Sequence, residues 1–135
     1  MKFMKVALIV FVDQHDRVML NKRRNTENTE MWDLIGGGVK EAETPLEAII
    51  REIKEELLYD INPMNLRPVG KYQMETAKYH AEVSFFISPA PSLKEFTSGD
   101  EVFVEDLKFM PVGVAKVKPL LPMAQLFFDM DLLDN

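Results

Sequence analysis

Apolar and polar residues follow one another along this chain with different rhythms, and each rhythm predicts a different element. Met4 to Val12 (Met-Lys-Val-Ala-Leu-Ile-Val-Phe-Val) is β-branched and almost wholly apolar, the pattern of a strand covered on both faces. Asp13 to Asp16 interrupts it as a polar turn containing His15, and Arg17 to Lys22 returns as a second strand. Asn25 to Glu30 is a polar loop, and Met31 to Ile35 is a short strand running into Gly36-Gly37-Gly38. The rhythm then becomes helical: Leu46, Ile49, Ile50, Ile53 and Leu57 recur at about 100° per residue and form one apolar stripe. Thr44 is the N-cap, Pro45 takes the first helical position, and Glu47 completes a Thr-x-x-Glu capping box. Asn62-Pro63 stops that segment. Val69 to Glu75 and Tyr79 to Ser88 then alternate as a hairpin joined near Thr76-Ala77-Lys78. After a loop from Pro89 to Gly99, Leu107 to Pro111 is a last strand, and from Lys118 or Pro122 to Leu133 an amphipathic helix closes the chain. Strands, helix, strands and helix in that order predict a mixed α/β layer arrangement.

Composition narrows the class. With 135 residues and 47% hydrophobic content, the chain suits one folded domain spanning residues 1–135. A net charge of −6 argues against a general nucleic-acid surface, which would be basic, while a small phosphorylated substrate held through a metal stays compatible with it. The lack of cysteine removes disulfides and thiol chemistry. The apolar run from Val6 to Val12 is too short to span a bilayer and ends at Asp13, and the early lysines make a poor signal peptide. A cytoplasmic protein without membrane contact is expected.

The candidate chemistry gathers on the helix. Glu52, Glu55 and Glu56 lie at i, i+3 and i+4 and share one flank, with Arg51 able to reach Glu47 and Glu55. Like charges at this spacing repel, and negative charge in a last turn opposes the helix dipole, each costing about 0.3 to 1 kcal/mol at exposed sites. A solvated acidic face is the plain reading; a hard cation with oxygen ligands would turn both costs into binding. The glycines before the helix favour the second, because they allow a tight turn, positive φ and close approach to a ligand, and a glycine turn feeding a capped helix offers N–H groups to an anion. Lys22-Arg23-Arg24 ends the second strand. It reads either as a solvated triplet or as a contact to a substrate phosphate through one or two of its members, Arg23 foremost and Arg24 beside it. Tyr72, Tyr79, His80, Phe85 and Phe86 are candidates to line a base pocket, although alternation turns roughly half of them to the core. Trp32 reads as an anchor in the core or at its rim.

Gly37, five residues, Glu43, seven residues, then Arg51-Glu52-Ile53-Lys54-Glu55-Glu56 resembles the Nudix box, Gly-x5-Glu-x7-Arg-Glu-U-x-Glu-Glu-x-Gly-U with U apolar. Two positions depart from it. Leu58 stands at the last box glycine, where a left-handed cap costs a non-glycine residue about 1 to 2 kcal/mol, and Ile35 replaces a proline that often precedes the glycine pair. The resemblance implies an α/β fold, a Nudix-type α/β/α sandwich with a mixed β-sheet. It implies a MutT-like hydrolase that cleaves the diphosphate linkage of a nucleoside diphosphate joined to another moiety. That substrate would be an NTP, an oxidised NTP or a nucleotide sugar, and the products a monophosphate and the phosphorylated remainder. Mg²⁺, with Mn²⁺ as substitute, would be held by Glu52, Glu55, Glu56 and the carbonyl of Gly36, with Glu43 and Arg51 in support and Gly37 and Gly38 at the substrate. The family often adds a glutamate from the region after the hairpin, so the general base is Glu52, Glu101 or Glu105. No cysteine and two histidines speak against zinc. Homodimers are common in the family. The competing reading is a catalytically silent nucleotide-binding sensor module, which leaves the repulsion among the carboxylates without a purpose.

Overall fold

The computed structural model describes the chain except residues 25, 26, 28, 29 and 135, so the expected loop from Asn25 to Glu30 lies largely outside the described residues. Its spine is β1 (Lys2–Val12). Along β1, Val6, Leu8 and Val10 face one core while Ala7, Ile9 and Phe11 face another, which is why the run carries no polar alternation. β6 (Tyr79–Pro89) lies parallel to β1 from Lys2↔Tyr79 to Val12↔Pro89, and β5 (Arg67–Glu75) closes that edge as the antiparallel hairpin partner, with an irregularity between Pro68 and Gly70. On the other edge of β1, β4 (Ile35–Gly38) pairs with Val6 to Ile9, and β2 (Arg17–Lys22) meets β1 at Val12↔Val18. β2 also carries β3 (Trp32–Asp33) and β7 (Leu107–Pro111). One parallel pair in an otherwise antiparallel set makes a mixed 7-stranded sheet.

Helix α1 (Pro45–Leu57) covers one face and α3 (Pro122–Asp129) the other, with a short α2 (Val112–Ala115) after β7. Ile49, Ile53 and Leu57 of α1 pack on Ile9, Phe11 and Phe86, whereas Phe127 of α3 packs on Leu8, Val10 and Phe85. This is the α/β/α sandwich. Each aliphatic side chain so buried contributes about 1.5 to 3 kcal/mol. Phe85 and Phe86 are core residues, one in each layer, and line no part of a base pocket formed by the site described below. The capping box forms as the spacing requires: Thr44 Oγ1 accepts from the Glu47 N–H at 3.1 Å, and Glu47 Oε1 accepts from the Thr44 N–H at 2.9 Å.

Four local readings change. Leu46 is 39% exposed, because in the first turn of α1 it overhangs the sheet and borders an open groove with Pro68 and Gly70. The three glycines form strand β4 rather than a turn, and the bend into α1 falls after them, at a turn closed by the Glu43 N–H to the Lys40 carbonyl. They are needed for proximity: a Cβ on Gly36, at φ 144°, would stand 2.1 Å from the Ala7 carbonyl oxygen, and one on Gly37 would stand 2.5 Å from a Glu52 carboxylate oxygen. The N–H of Gly36 points at Glu56, at 3.2 Å, so it is not free for an anion. Leu58 adopts the left-handed cap despite its side chain, at φ 49° and ψ 39°, with its N–H on the Lys54 carbonyl. The closing helix is shorter than its pattern, ending at Asp129 before a 3-10 turn over Leu132–Asp134. Among the described residues no helix is long and apolar enough to cross a membrane.

Candidate active site

The packing of α1 on β4 builds an acidic cavity. With no side chain on Gly37, Glu52 lies directly against the strand, and one turn on, Glu56 meets the Gly36 N–H. Glu52, Glu55 and Glu56 thus line a cavity of about 600 Å³ together with Gly36, Gly37, Asp100 and Glu101. Asp100 was not among the residues singled out from the sequence; its only signal was its place beside Glu101. Glu105 stays outside. Its carboxylate and that of Asp106 are taken by Arg24, whose guanidinium also stacks at 3.8 Å over Phe103. Arg24 is thereby turned away from the cavity.

Arg51 organises these carboxylates. Its Nε and Nη2 donate to both oxygens of Glu43 at 2.6 and 2.9 Å, Nη2 also to the Gly38 carbonyl at 2.8 Å, and Nη1 to Glu52 at 3.0 Å and Glu55 at 3.3 Å. Glu47 is spent in the capping box instead. The hydrogen bonds from Arg51, with that from the Lys40 N–H, hold the Glu43 carboxyl down to about 2, and the same pairing raises Arg51 further above its ordinary value. Glu56 goes the other way. Burial first, then the charge of Glu52 and a hydrogen bond to it, push the Glu56 carboxyl well above the usual carboxylate range. A carboxyl buried beside a second negative charge keeps its proton, because two charges so close repel. Among the described residues no three acidic or histidine side chains converge closely enough to hold a metal ion as they lie, since Arg51 draws Glu52 and Glu55 to its side. In kind the donors fit a hard divalent cation: they are all oxygen, they are acidic, and one pair already needs a positive charge between its members.

On the opposite face of β4 lies a second cavity, about 310 Å³, that shares Gly36 and Gly37 with the first. Its walls are mostly apolar, with Val6, Leu8, Met123 and Tyr79 among them, and its polar feature is the ion pair of Arg23 with Asp33 at 3.0 Å. Asp33 also accepts from the Leu34 N–H at 2.8 Å, yet burial outweighs these partners and raises its carboxyl. Arg23 and Tyr79 therefore meet here, and Gly38 with them. Tyr72 lines neither cavity; it lies over Gly70 with its ring 6.1 Å from that of Phe85. His80 is bound to Gln73 at 2.9 Å at the far end of the hairpin, beside Phe3 and Glu75. Trp32 is a rim anchor, half-buried, with the Lys118 and Lys22 ammonium groups 5.6 and 6.0 Å from its ring.

A family model described as NUDIX domain matches residues 2–128. The chain is 28% identical over 87 residues to the 8-oxo-dGTP diphosphatase of Proteus vulgaris, covering 64% of this chain and 76% of that protein. It is 30% identical over 56 residues to the dihydroneopterin triphosphate diphosphatase of Escherichia coli K12, covering 42% of this chain and 36% of that protein. Among solved structures, the MutT protein from Methanosarcina mazei Go1 superposes with a TM-score of 0.76 at 16% identity, over 99% of this chain and 96% of that one. A bifunctional NMN adenylyltransferase/ADP ribose pyrophosphatase from Francisella tularensis, complexed with AMP and a Mn ion, gives 0.69 at 21% identity, over 98% of this chain and 41% of that one. At these identities the two structures share the fold.

Proposed function

The chain belongs to the NUDIX domain family and is a pyrophosphohydrolase of that family, and on that premise we propose that it cleaves the diphosphate linkage of a nucleoside triphosphate with Mg²⁺, or Mn²⁺ in its place. The observation that carries this reading is the pair of cavities set back to back across β4, one acidic and one apolar with an ion pair inside it. A nucleotide has the same two halves, a polyanion that needs cations and a flat ring with a polar edge. The named substrates of the two relatives, 8-oxo-dGTP and dihydroneopterin triphosphate, are both triphosphates of bicyclic nitrogen heterocycles, and they put that class first among NTPs, oxidised NTPs and nucleotide sugars.

Glu52, Glu55 and Glu56, with the carbonyl of Gly36, would hold the cation, which when bound offsets the phosphate charge and makes a water more acidic. Arg51 and Glu43 keep the carboxylates oriented. Glu101 lines the same cavity and takes the proton from the attacking water; Glu105, engaged with Arg24, does not. The phosphorus–oxygen bond to the leaving phosphate then breaks, giving a monophosphate and the phosphorylated remainder. Arg23, expected at a phosphate, is assigned with Asp33 to the ring edge, where a guanidinium fork and a carboxyl offer donors and an acceptor side by side. Its acidic, cysteine-free composition suits the cytoplasm.

The test is turnover with Mg²⁺ over NTPs, 8-oxo-dGTP, dihydroneopterin triphosphate, nucleotide sugars and ADP-ribose, with Glu56→Gln as control. Turnover of a triphosphate that the control loses supports the reading. A nucleotide that raises Tm without being turned over would replace it with the silent sensor module.

A further inference from the structure

The last four carbonyls of a helix have no partner within it, and on α1 all of them are met. The Lys54 carbonyl accepts from the Leu58 N–H at 3.0 Å, that of Glu55 from the Asp100 N–H at 2.9 Å, that of Glu56 from the Gly99 N–H at 3.1 Å, and that of Leu57 from the Thr97 N–H at 2.8 Å. Three of the four donors come from one distant loop. The loop reaches this end of the helix after Phe96, which is buried against Phe11 and Tyr59 with ring centroids 5.3 Å away in each case. It leaves with Ser98 Oγ accepting the Val104 N–H at 2.9 Å.

The contact depends on one atom that is missing. A Cβ on Gly99 would lie 2.1 Å from the Glu55 carbonyl oxygen and 2.8 Å from that of Glu56, both backbone atoms of a helix and unable to swing aside. The next two residues, Asp100 and Glu101, line the acidic cavity with Glu52, Glu55 and Glu56. Glu101 is held at φ 62°, a left-handed conformation that a glutamate keeps only where its surroundings impose it.

We propose that Gly99 is a positioning residue of the active site: it lets the loop seat its N–H groups on the carbonyl end of α1, and this seating presents Asp100 and Glu101 to Glu55 and Glu56. The helix that carries three acids of the cavity thereby holds the other two by its backbone. The seating also places N–H dipoles at the helix end where Glu55 and Glu56 crowd negative charge, which relieves the conflict between those side chains and the helix dipole. The proposal rests on the acidic cavity being the reaction site, and its test separates the two.

In the wild-type protein without metal, the Gly99 and Asp100 amides should exchange with solvent as slowly as interior amides of α1; exchange as fast as in an open loop overturns the seating, whatever the activity shows. In Gly99→Ala, kcat should fall about 10- to 100-fold with KM changed less than about threefold, the scale of an ångström's misplacement of a reacting group. Gly113→Ala, where a Cβ meets nothing within 4 Å, should leave kcat as it is. Added to Asp100→Asn/Glu101→Gln, the Gly99→Ala change should cost less than about twofold more, because the groups it displaces are already gone. An equal loss in both backgrounds, or none in either, overturns the positioning role. If Gly99→Ala does not fold, the amide exchange decides. If Glu56→Gln keeps full turnover while the amides are protected, the site assignment fails and the seating stands as structure alone.

Discussion

Two acidic clusters lie near one another in this molecule and are answered in different ways. Glu105 and Asp106 are met by Arg24, which donates to both and rests on the Phe103 ring; acids and cation are neighbours on the surface and the cluster is complete. Glu52, Glu55, Glu56, Asp100 and Glu101 surround one cavity. Their only guanidinium hydrogen-bond partner among the described residues is Arg51, already shared with both oxygens of Glu43. Burial and the neighbouring charge of Glu52 push the Glu56 carboxyl up, so it holds its proton well above the usual carboxylate range. The contrast separates charge that the chain balances for itself from charge that, under the proposed function, a cation would balance.

The widest break in that contrast comes from one neutralising change in each cluster. Glu56→Gln should lower turnover by at least about a hundredfold with the fold intact by circular dichroism, whereas Glu105→Gln should stay within about twofold, as for an exposed ion pair. Equal losses would erase the distinction. pH sharpens it next. Folded Glu56 holds its proton above its ordinary value of 4.5, so the native state binds more protons than the unfolded chain, and stability falls as pH rises from about 4.5 towards the raised value. Asp33 acts in the same direction. Glu43, held down to about 2, acts in the opposite one, its contribution being lost as pH falls from 4.5 towards 2. Tm measured in EDTA from pH 5 to 9 should therefore decline, Glu56→Gln should flatten the decline, and Mg²⁺ should restore the loss at the alkaline end. A flat profile in EDTA would remove the raised Glu56 carboxyl.

Smaller effects test the frame around the site. Leu58→Gly should stabilise by about 1 kcal/mol, the relief of a left-handed leucine less the entropy of a new glycine, with turnover unchanged; a lower Tm would mean that the leucine contacts outweigh its strain. Arg24→Ala should do least, with kcat within about twofold and a slight loss of Tm. If it costs as much kcat as Gly99→Ala, the surface clamp and not the backbone seating holds the Asp100-Glu101 loop.

The parts legible in the sequence are those whose physics is local. The all-apolar β1, the capping box at Thr44 and Glu47, the hairpin of β5 and β6 and the acidic flank of α1 each follow from periodicity within a dozen residues. The glycines form a strand in place of the expected turn, with Gly36 at the expected positive φ, because the reason for two of them is a neighbour: Ala7 behind Gly36, and Glu52 over Gly37. Leu46 lies on the apolar stripe by angle and is exposed because it borders an open groove with Pro68 and Gly70. Arg24 with Glu105 is a contact across 81 positions, and Gly99 under Glu55 a contact across a loop that carries no periodic signal. Nothing local distinguishes Glu101 from Glu105, and only the placement of the loop separates them.

The parallel pairing of β1 with β6 also has a temporal side. Val6 faces Val83 in that register, so β1, once synthesised, waits for 77 further residues before its long partner exists. At about 5 to 20 residues per second that is roughly 4 to 15 s. During that interval β4 can cover Val6 to Ile9 and β2 can meet Val12 on one edge, and this apolar strand keeps its other edge open. The strand that carries β4, and with it the glycines shared by both cavities, therefore keeps one edge unpaired for that part of synthesis.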